Sequence, residues 1–136
     1  MAKKKPKRAI EAAGAGSGGL YRFVDVASFT QDWSDLGWGD DELRLLEDAI
    51  GRDPTRPPVV PGGGGARKIR LADPASAKGK RGGHRVHYAF LAEYGIVLLI
   101  AAWPKSECED LTPQDYRAIG KSIARIRELL ARGEIR

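Results

Sequence analysis

The sequence contains almost none of the residues that build disulfide frameworks or metal sites. Among its 136 residues there is one cysteine, Cys108, and there are two histidines, His84 and His87. A single thiol excludes an internal disulfide and a thiolate zinc site, and it is typical of a reducing compartment. Histidines spaced like His84 and His87 fall on opposite faces of a strand, so they do not ligate one metal together. We therefore expect no metal and no other cofactor.

Long apolar runs are also lacking. The longest, residues 96–103, falls well short of the ~18 residues that span a membrane. The basic N-terminus has no apolar stretch of the kind found in signal peptides. Residues 1–19 join lysines to an Ala/Gly/Ser-rich stretch, which predicts a disordered arm, either touching nucleic acid or simply solvated. We expect a cytoplasmic protein without a membrane partner, with one domain over residues 20–132.

The net charge of +5 conceals a strong separation of charge along the chain. Five cations within residues 3–8 account for the whole excess. Residues 25–53 carry nine acids and two bases, whereas residues 66–87 carry seven bases and one acid. A dense basic segment attracts anions, and phosphate is the commonest of them. Residues 66–87 are therefore the first place to look for an anionic partner.

The hydrophobic spacing predicts an α+β domain in the order strand, two helices, three strands, helix. Strands are expected over 20–26, 66–72, 84–92 and 96–103, and helices over 28–36, 41–52 and from Thr112 onward. The last three strands are expected to be antiparallel, with the apolar strand 96–103 central and covered on both faces. Thr112, Pro113 and Asp115 form a helix-start signal. One face of that helix is apolar: Tyr116, Ile119, Ile123, Ile126 and Leu130.

The two-residue period of a strand gathers cations on one face of the predicted sheet. If strands 66–72 and 84–92 pair with their apolar faces together, their polar side chains converge on one surface. Those side chains are Lys68, Arg70, Arg85 and His87, with Lys105 at the edge. Crowded cations repel one another unless an anion joins them, and arginine offers phosphate two parallel hydrogen bonds. The alternative is a solvated basic face that the protein's own acids neutralise.

Glycine-rich segments flank these strands. Neither residues 61–65 nor residues 77–83 form a Walker loop, because Lys80 is followed by Arg81 instead of serine or threonine. Lys78, Lys80 and Arg81 stand between glycines that allow the backbone to approach a polyanion closely. The same composition is also typical of any exposed loop.

Two further features allow alternative interpretations. His87 is a candidate acid or base, or else a structural histidine. Glu107, Glu109 and Asp110 form an acidic patch. Either Glu107 assists a site, or the three acids stabilise the N-terminus of the last helix through its dipole.

Three segments together resemble HigB-like toxins of the RelE/ParE superfamily. They are Gly-Gly-Gly-Gly-Ala-Arg-Lys-Ile-Arg at 62–70, Ala-Lys-Gly-Lys-Arg-Gly-Gly-His-Arg-Val-His-Tyr at 77–88, and Trp-Pro-Lys-Ser-Glu at 103–107 leading into Asp110-Leu111-Thr112. Their order and spacing are similar to the family's, and the resemblance spans about residues 20–130. Ala66, Pro104 and Ser106 depart from it, standing where leucine, glycine or alanine, and asparagine are usual.

The resemblance implies a compact fold with two N-terminal helices on an antiparallel sheet of about four strands, followed by a C-terminal helix. It implies a toxin of a type II toxin–antitoxin system, which cleaves mRNA on the ribosome without a metal. The implied partners are the ribosome, mRNA and a cognate antitoxin, expected to be a small helix-turn-helix protein. The same superfamily includes inhibitors of DNA gyrase that bind without cleaving, and a basic RNA-binding module without nuclease activity is a further alternative.

The resemblance also implies roles for individual residues. The catalytic set carried over from the family would be Lys68, Arg70, Arg85 and Lys105. His87 stands where the family usually has an aliphatic or aromatic residue, and we predict it as the general acid from its own chemistry. The basic residues Arg67, Lys78, Lys80 and Arg81 are predicted to bind RNA because of their charge and their place in or beside the glycine-rich loops. The smaller RelE branch has a catalytic arginine near position 106 and a tyrosine near the C-terminus, and this chain has neither at a matching place.

Overall fold

The computed structural model describes residues 10–12, 21–71, 84–104 and 110–134. Within them the order of elements is β1 Ile10–Ala12, β2 Arg22–Val26, α1 Ala27–Asp35, α2 Asp40–Arg52, β3 Arg67–Leu71, β4 His84–Leu91, β5 Ile96–Pro104 and α3 Pro113–Ala131. A 3-10 turn over Ala92–Tyr94 joins β4 to β5. The predicted α+β order is confirmed, with element ends displaced by two residues at most. None of the helices in the described ranges has the length and apolar character that crossing a membrane requires.

β1 lies inside the segment that the sequence predicts as a disordered arm. The backbone of Ile10–Ala12 pairs with β2 in antiparallel register, Ile10 opposite Val26. Residues 10–12 are therefore a strand. Three residues are too few to show an alternation of apolar and polar side chains, so the strand forms through its pairing with β2 and could not be predicted from its own sequence. The rest of the arm lies outside the described residues.

The strands form one sheet in the order β1-β2-β5-β4-β3. β3, β4 and β5 are antiparallel neighbours, as predicted. β2 instead runs parallel to β5, with Phe23 opposite Val97, so the expectation of a wholly antiparallel sheet is wrong at this strand. Parallel neighbours need a long crossover, and the chain from α1 through β4 provides it.

Helices cover both faces of the sheet. Phe29 and Trp33 of α1 and Leu46 and Ile50 of α2 pack on one face, while Ile123 of α3 belongs to the separate core on the other. β5 is buried over residues 96–103, which confirms the prediction of a central strand covered on both faces. The cost of burying its peptide groups is offset because both neighbouring strands pair with it.

The start of α3 follows its sequence signal. The Thr112 hydroxyl accepts a hydrogen bond from the Asp115 N–H at 3.0 Å, and the Asp115 carboxylate accepts one from the Thr112 N–H at 3.1 Å. This reciprocal cap satisfies two backbone donors that the helix itself leaves without partners. The predicted apolar face is confirmed, with Tyr116, Ile123 and Ile126 buried in the core.

The glycine run before β3 packs against α3. Gly64 has φ +66°, and a Cβ placed on it would lie 2.6 Å from the Cα of Gly120. A neighbouring Cβ on Gly63 would lie 3.5 Å from the Tyr116 ring. Ala66, directly after the run, is completely buried. The run thus lets a turn approach α3 closely and fixes where β3 begins relative to Tyr116.

Candidate functional site

The pairing of β3 with β4 brings the predicted cationic face together. Lys68 lies opposite His87, and Arg70 lies opposite Arg85. Ile69 and Leu71 pack on the α1/α2 side, so Lys68 and Arg70 lie on the side that α3 covers. The predicted convergence of these four side chains is confirmed, because the two-residue period holds through both strands as far as His87.

The four side chains differ sharply in their access to solvent. His87 is 0% exposed and Arg85 only 2%, whereas the Lys68 side chain is 30% exposed. Arg70 is exposed. β4 is an inner strand beneath α3, while β3 is the outer strand of the sheet. The accessible part of the predicted polar surface is therefore its β3 half, formed by Lys68 and Arg70.

A continuous chain of polar contacts links Lys68 to His87 through two residues at the start of α3. The Lys68 ammonium lies 3.4 Å from the Asp110 carboxylate. The Tyr116 hydroxyl donates a short hydrogen bond to the same carboxylate oxygen. The His87 Nε2 atom lies 2.9 Å from the Tyr116 oxygen. We call these four residues, Lys68, Asp110, Tyr116 and His87, the polar relay.

The direction of these hydrogen bonds assigns the tautomer of His87. A tyrosine hydroxyl has a single proton, and in Tyr116 that proton is directed to Asp110. The contact to Tyr116 is therefore donated by His87, which places its proton on Nε2. The buried Nδ1 is then an acceptor, and among the described residues it has no hydrogen-bond partner.

Aromatic contacts hold the His87 ring in place. It stacks on Trp103 with a centroid distance of 4.9 Å and an interplanar angle of 18°. The Tyr116 ring meets it edge-on at 5.2 Å. A ring with both a stacked face and a bonded Nε2 has no freedom to reorient, so His87 is a rigid part of the site.

Burial, hydrogen bonds and the Lys68 charge together set the protonation of the relay. Burial lowers the pKa of His87 to about 4, with a further lowering by the Lys68 ammonium that Asp110 partly opposes. Burial alone would raise the pKa of Asp110, but hydrogen bonds from Tyr116 and the Leu111 N–H, together with Lys68, hold it below its ordinary value. At neutral pH the relay therefore contains a neutral imidazole and an ionised carboxylate. This arrangement favours an orienting role for His87 over the predicted role as general acid.

Arg67 makes structural contacts. Its guanidinium donates hydrogen bonds to the backbone carbonyls of Thr55 at 2.9 Å and Pro57 at 2.6 Å. These bonds tie the segment after α2 to the start of β3. The other predicted RNA-binding residues, Lys78, Lys80 and Arg81, and the predicted catalytic residue Lys105 lie outside the described residues.

Sequence reasoning did not identify Tyr116 as a site residue and left the role of Asp110 open. Tyr116 has the periodicity of a core residue and is in fact buried. Asp110 precedes the helix cap, where an acid is expected for its effect on the helix dipole alone. Only the docking of α3 on β4 carries Tyr116 to His87 and Asp110 to Lys68, and no spacing along the chain signals it.

The two histidines lie apart, as the sequence predicts. His84 meets the Trp38 ring at 4.3 Å, and Trp38 packs on the α1/α2 side. His87 lies against Trp103 on the opposite face. No cluster of histidine, cysteine, aspartate and glutamate in the described ranges is arranged to hold a metal ion.

Replacing Tyr116 by phenylalanine is expected to lower the free energy of unfolding by about 1–3 kcal/mol, because the buried His87 Nε2–H loses its acceptor. Urea unfolding measures this loss. Tyr94→Phe is the matched control, since Tyr94 is 39% exposed and makes no hydrogen bond through its hydroxyl among the described residues. Equal stability of Tyr116→Phe and Tyr94→Phe would contradict the relay.

Stability is expected to fall as the pH is lowered from 7. The pKa of His87 is about 4 in the folded chain against 6.5 ordinarily, so the unfolded chain takes up the proton first. Folding thus loses about 2 kcal/mol of stability between pH 7 and pH 5. Asp110, with its lowered pKa, acts in the same direction only at more acidic pH. Urea titrations at both pH values measure the loss, and His87→Gln should remove most of this pH dependence. A wild-type stability that is flat over this interval would contradict the buried neutral imidazole.

Chemically, the site combines two accessible cations with a support in which Tyr116 and His87 are buried. Lys68 and Arg70 can meet an anion at the sheet edge, and the buried Arg85 lies opposite Arg70. The Lys68 ammonium is restrained by its ion pair with Asp110, which in turn is hydrogen-bonded to Tyr116 and through it to His87. Such an arrangement suits a phosphate group or a phosphodiester. When the chain is compared with models of known protein families, no family model matches it.

Proposed function

We propose that this protein is a metal-independent endoribonuclease that cleaves mRNA on the ribosome, the toxin of a type II toxin–antitoxin system. One observation carries the proposal: Lys68 and Arg70 share one face of the outer strand β3, directly opposite His87 and Arg85. Two of the three motifs that resemble HigB-like toxins, at 62–70 and 77–88, contain these same residues. The α+β order of the elements agrees with the fold that the resemblance implies.

In the proposed reaction the RNA 2′-hydroxyl attacks the adjacent phosphorus atom. A bond forms between the 2′ oxygen and phosphorus, and the bond to the 5′ oxygen of the next nucleotide breaks. The products are a 2′,3′-cyclic phosphate and a 5′-hydroxyl. A lysine, Lys68 or Lys105, that has released its own proton to solvent accepts the 2′-hydroxyl proton. Water donates a proton to the 5′ oxygen as it leaves, and the resulting hydroxide is neutralised by the proton that the lysine released. This scheme balances without an oxidant, a reductant or a metal.

Arg70 is suited to stabilise the charge that develops on the phosphate. It is exposed, and within the described residues it makes no hydrogen bond or ion pair, so its guanidinium is available. Arg85 lies opposite it on β4, and the arginine side chain can bind phosphate through two parallel hydrogen bonds. Cations positioned where charge develops contribute the largest single term in many enzymes. The ribosome would contribute the rest of the rate acceleration by orienting the mRNA.

The proposal includes a separate surface for the antitoxin. Asp40, Asp41 and Asp48 of α2 are exposed, and α2 lies on the face of the sheet opposite α3. A basic partner can therefore bind there without meeting Lys68 and Arg70. A cytoplasmic location follows from a ribosomal target.

The burial of Arg85 and His87 favours a second candidate, a basic RNA-binding module that does not cleave. Both residues are shielded from a bound substrate by their surroundings. In this case Lys68 and Arg70 would bind the RNA backbone, and affinity would fall steeply with salt.

Mapping the 5′ ends of mRNA distinguishes these functions. The protein is added to translating ribosomes with a defined mRNA, and the same mRNA without ribosomes is the control. We expect cuts inside translated codons, with 5′-hydroxyl and 2′,3′-cyclic phosphate ends, only when ribosomes are present. Binding without cuts would support the RNA-binding module, and intact mRNA with inhibited DNA supercoiling would support a gyrase inhibitor.

A further inference from the structure

Trp38 differs from the other tryptophans of this protein in its exposure. The chain has three tryptophans. Trp33 is 6% exposed and Trp103 only 1%, and both belong to the cores. Trp38 lies in the short link between α1 and α2 and is partly exposed. An indole that is left partly in water offers a flat apolar face to a ligand.

The Trp38 ring is held rigidly. It meets Trp33 edge-on at 5.0 Å and His84 edge-on at 4.3 Å. Its backbone N–H bonds to the Trp33 carbonyl at 3.4 Å, and the Trp33 indole N–H in turn bonds to the Gly39 carbonyl at 3.2 Å. Gly37, with φ +77°, makes the turn that places the link. A ring fixed in this way loses little conformational entropy when a planar ligand stacks on it.

Trp38 lies at the end of β3 that carries Arg70. His84, its ring partner, is directly opposite Leu71 in the β3–β4 ladder, and Arg70 with Arg85 forms the next pair. β3 is the outer strand, and among the described residues its free edge is paired only at Arg67, by an isolated bridge to Val59. Trp38 lies on the α1/α2 face and Arg70 on the α3 face, so an RNA strand that contacts both crosses this edge, which among the described residues is unpaired at Arg70 and Leu71.

We propose that Trp38 forms a nucleobase-binding subsite at this edge, in which a base of single-stranded RNA stacks on the indole while a phosphate of the same strand meets Arg70. The proposal rests on the proposed function and names a contact with its substrate. Aromatic faces beside a cation are the usual way in which proteins bind single-stranded nucleic acid, and such stacking tolerates every base. A base on Trp38 covers the ring face, and Arg70 neutralises the charge that accompanies it.

Tryptophan fluorescence provides a direct measurement. Because Trp33 and Trp103 are buried, quenching by a stacked base reports on Trp38. The probes are a short single-stranded ribo-oligonucleotide and the same oligonucleotide with abasic positions. We expect the first to quench the fluorescence and bind tightly, and the abasic probe to bind more weakly by about 5- to 100-fold with little quenching.

Substitutions give the second measurement, with binding read by fluorescence anisotropy of a labelled oligonucleotide. Trp38→Ala should weaken binding by about 5- to 100-fold, and Trp38→Phe should weaken it less because a smaller aromatic face remains. Tyr94→Ala is the matched control, since Tyr94 is an exposed aromatic at the far end of β4 and should leave affinity unchanged. Should Trp38→Ala prove unfolded, Trp38→Phe and the abasic probe still test the subsite.

The outcomes separate this inference from the proposed function. If the wild-type protein binds RNA with quenching but cleaves none, the subsite stands and the nuclease fails. If it cleaves ribosome-bound mRNA while the abasic probe and the Trp38 variants bind as the wild type does, the subsite is overturned and the nuclease stands. If the wild-type protein binds no oligonucleotide, the subsite is overturned, and the cleavage assay on translating ribosomes decides the nuclease separately.

Discussion

The double substitution Lys68→Met with Arg70→Gln is expected to slow mRNA cleavage by about 10²–10³-fold, the usual cost of removing groups that stabilise transition-state charge. Both side chains lie on one face of β3, where a phosphodiester can touch them together. Methionine keeps an apolar side chain of similar length at position 68, and glutamine at an exposed position has little effect on folding. Single-turnover cleavage on stalled ribosomes measures the change.

The effect should reside in the chemical step more than in binding. Arg85, the third cation of this face, is unsuitable for the test because it is buried, and its replacement would disturb the fold. Arg117→Gln with Lys121→Gln is the matched control, because it removes the same charge from exposed positions of α3. Cleavage by the Lys68/Arg70 variant at the wild-type rate, with the control also unchanged, would contradict the assignment of the site.

Gly64→Ala is expected to lower the free energy of unfolding by about 2–5 kcal/mol. Two costs add at this position. Its φ of +66° is strained for any residue with a Cβ, and that Cβ would lie 2.6 Å from the backbone of Gly120 in α3. Backbone cannot move aside as a flexible side chain can, so the turn and α3 must separate. Urea unfolding followed by circular dichroism measures the loss.

A comparison of Gly64→Ala with the control Gly62→Ala separates the cost of the positive φ from the cost of the close contact with α3. Gly62 has a similar φ of +78°, but a Cβ there meets nothing within 4 Å. The control should therefore lose only the conformational cost, about 1–2 kcal/mol. Equal losses in the two variants would show that the approach of the turn to α3 contributes nothing. A larger loss in Gly64→Ala, accompanied by a rise in the pKa of His87, would show that this contact also keeps the relay closed.

Local periodicity predicted the elements because each is long enough to show its own pattern. The apolar run predicted β5, and the Thr112 cap predicted the start of α3. Both patterns consist of residues that are close together in the sequence. β1 escaped prediction because three residues at an edge depend on β2 for their pairing. The parallel arrangement of β2 with β5 escaped too, since no spacing within either strand indicates the direction of its partner.

In the candidate site, too, some features were predictable from the sequence and others were not. Lys68, Arg70, Arg85 and His87 were placed on one face from the period of two strands, and the ladder confirms that placement. The burial of Arg85 and His87 was not foreseen, because it depends on α3, which is separated from β4 in the chain by β5. The glycine run at 61–65 was excluded as a Walker loop, and it proved to be the turn that packs on Gly120.

By itself, therefore, the sequence determined an α+β domain with a basic strand pair, since charge and apolar residues alternate within each strand. The tertiary structure alone decided which of those cations meet water. It buried Arg85 and His87 beneath α3, kept Arg70 exposed at the outer strand, and joined Asp110 and Tyr116 to Lys68. The physical reason is that periodicity is set by neighbours in the chain, whereas burial, pKa and hydrogen-bond partners are set by residues that only folding brings near.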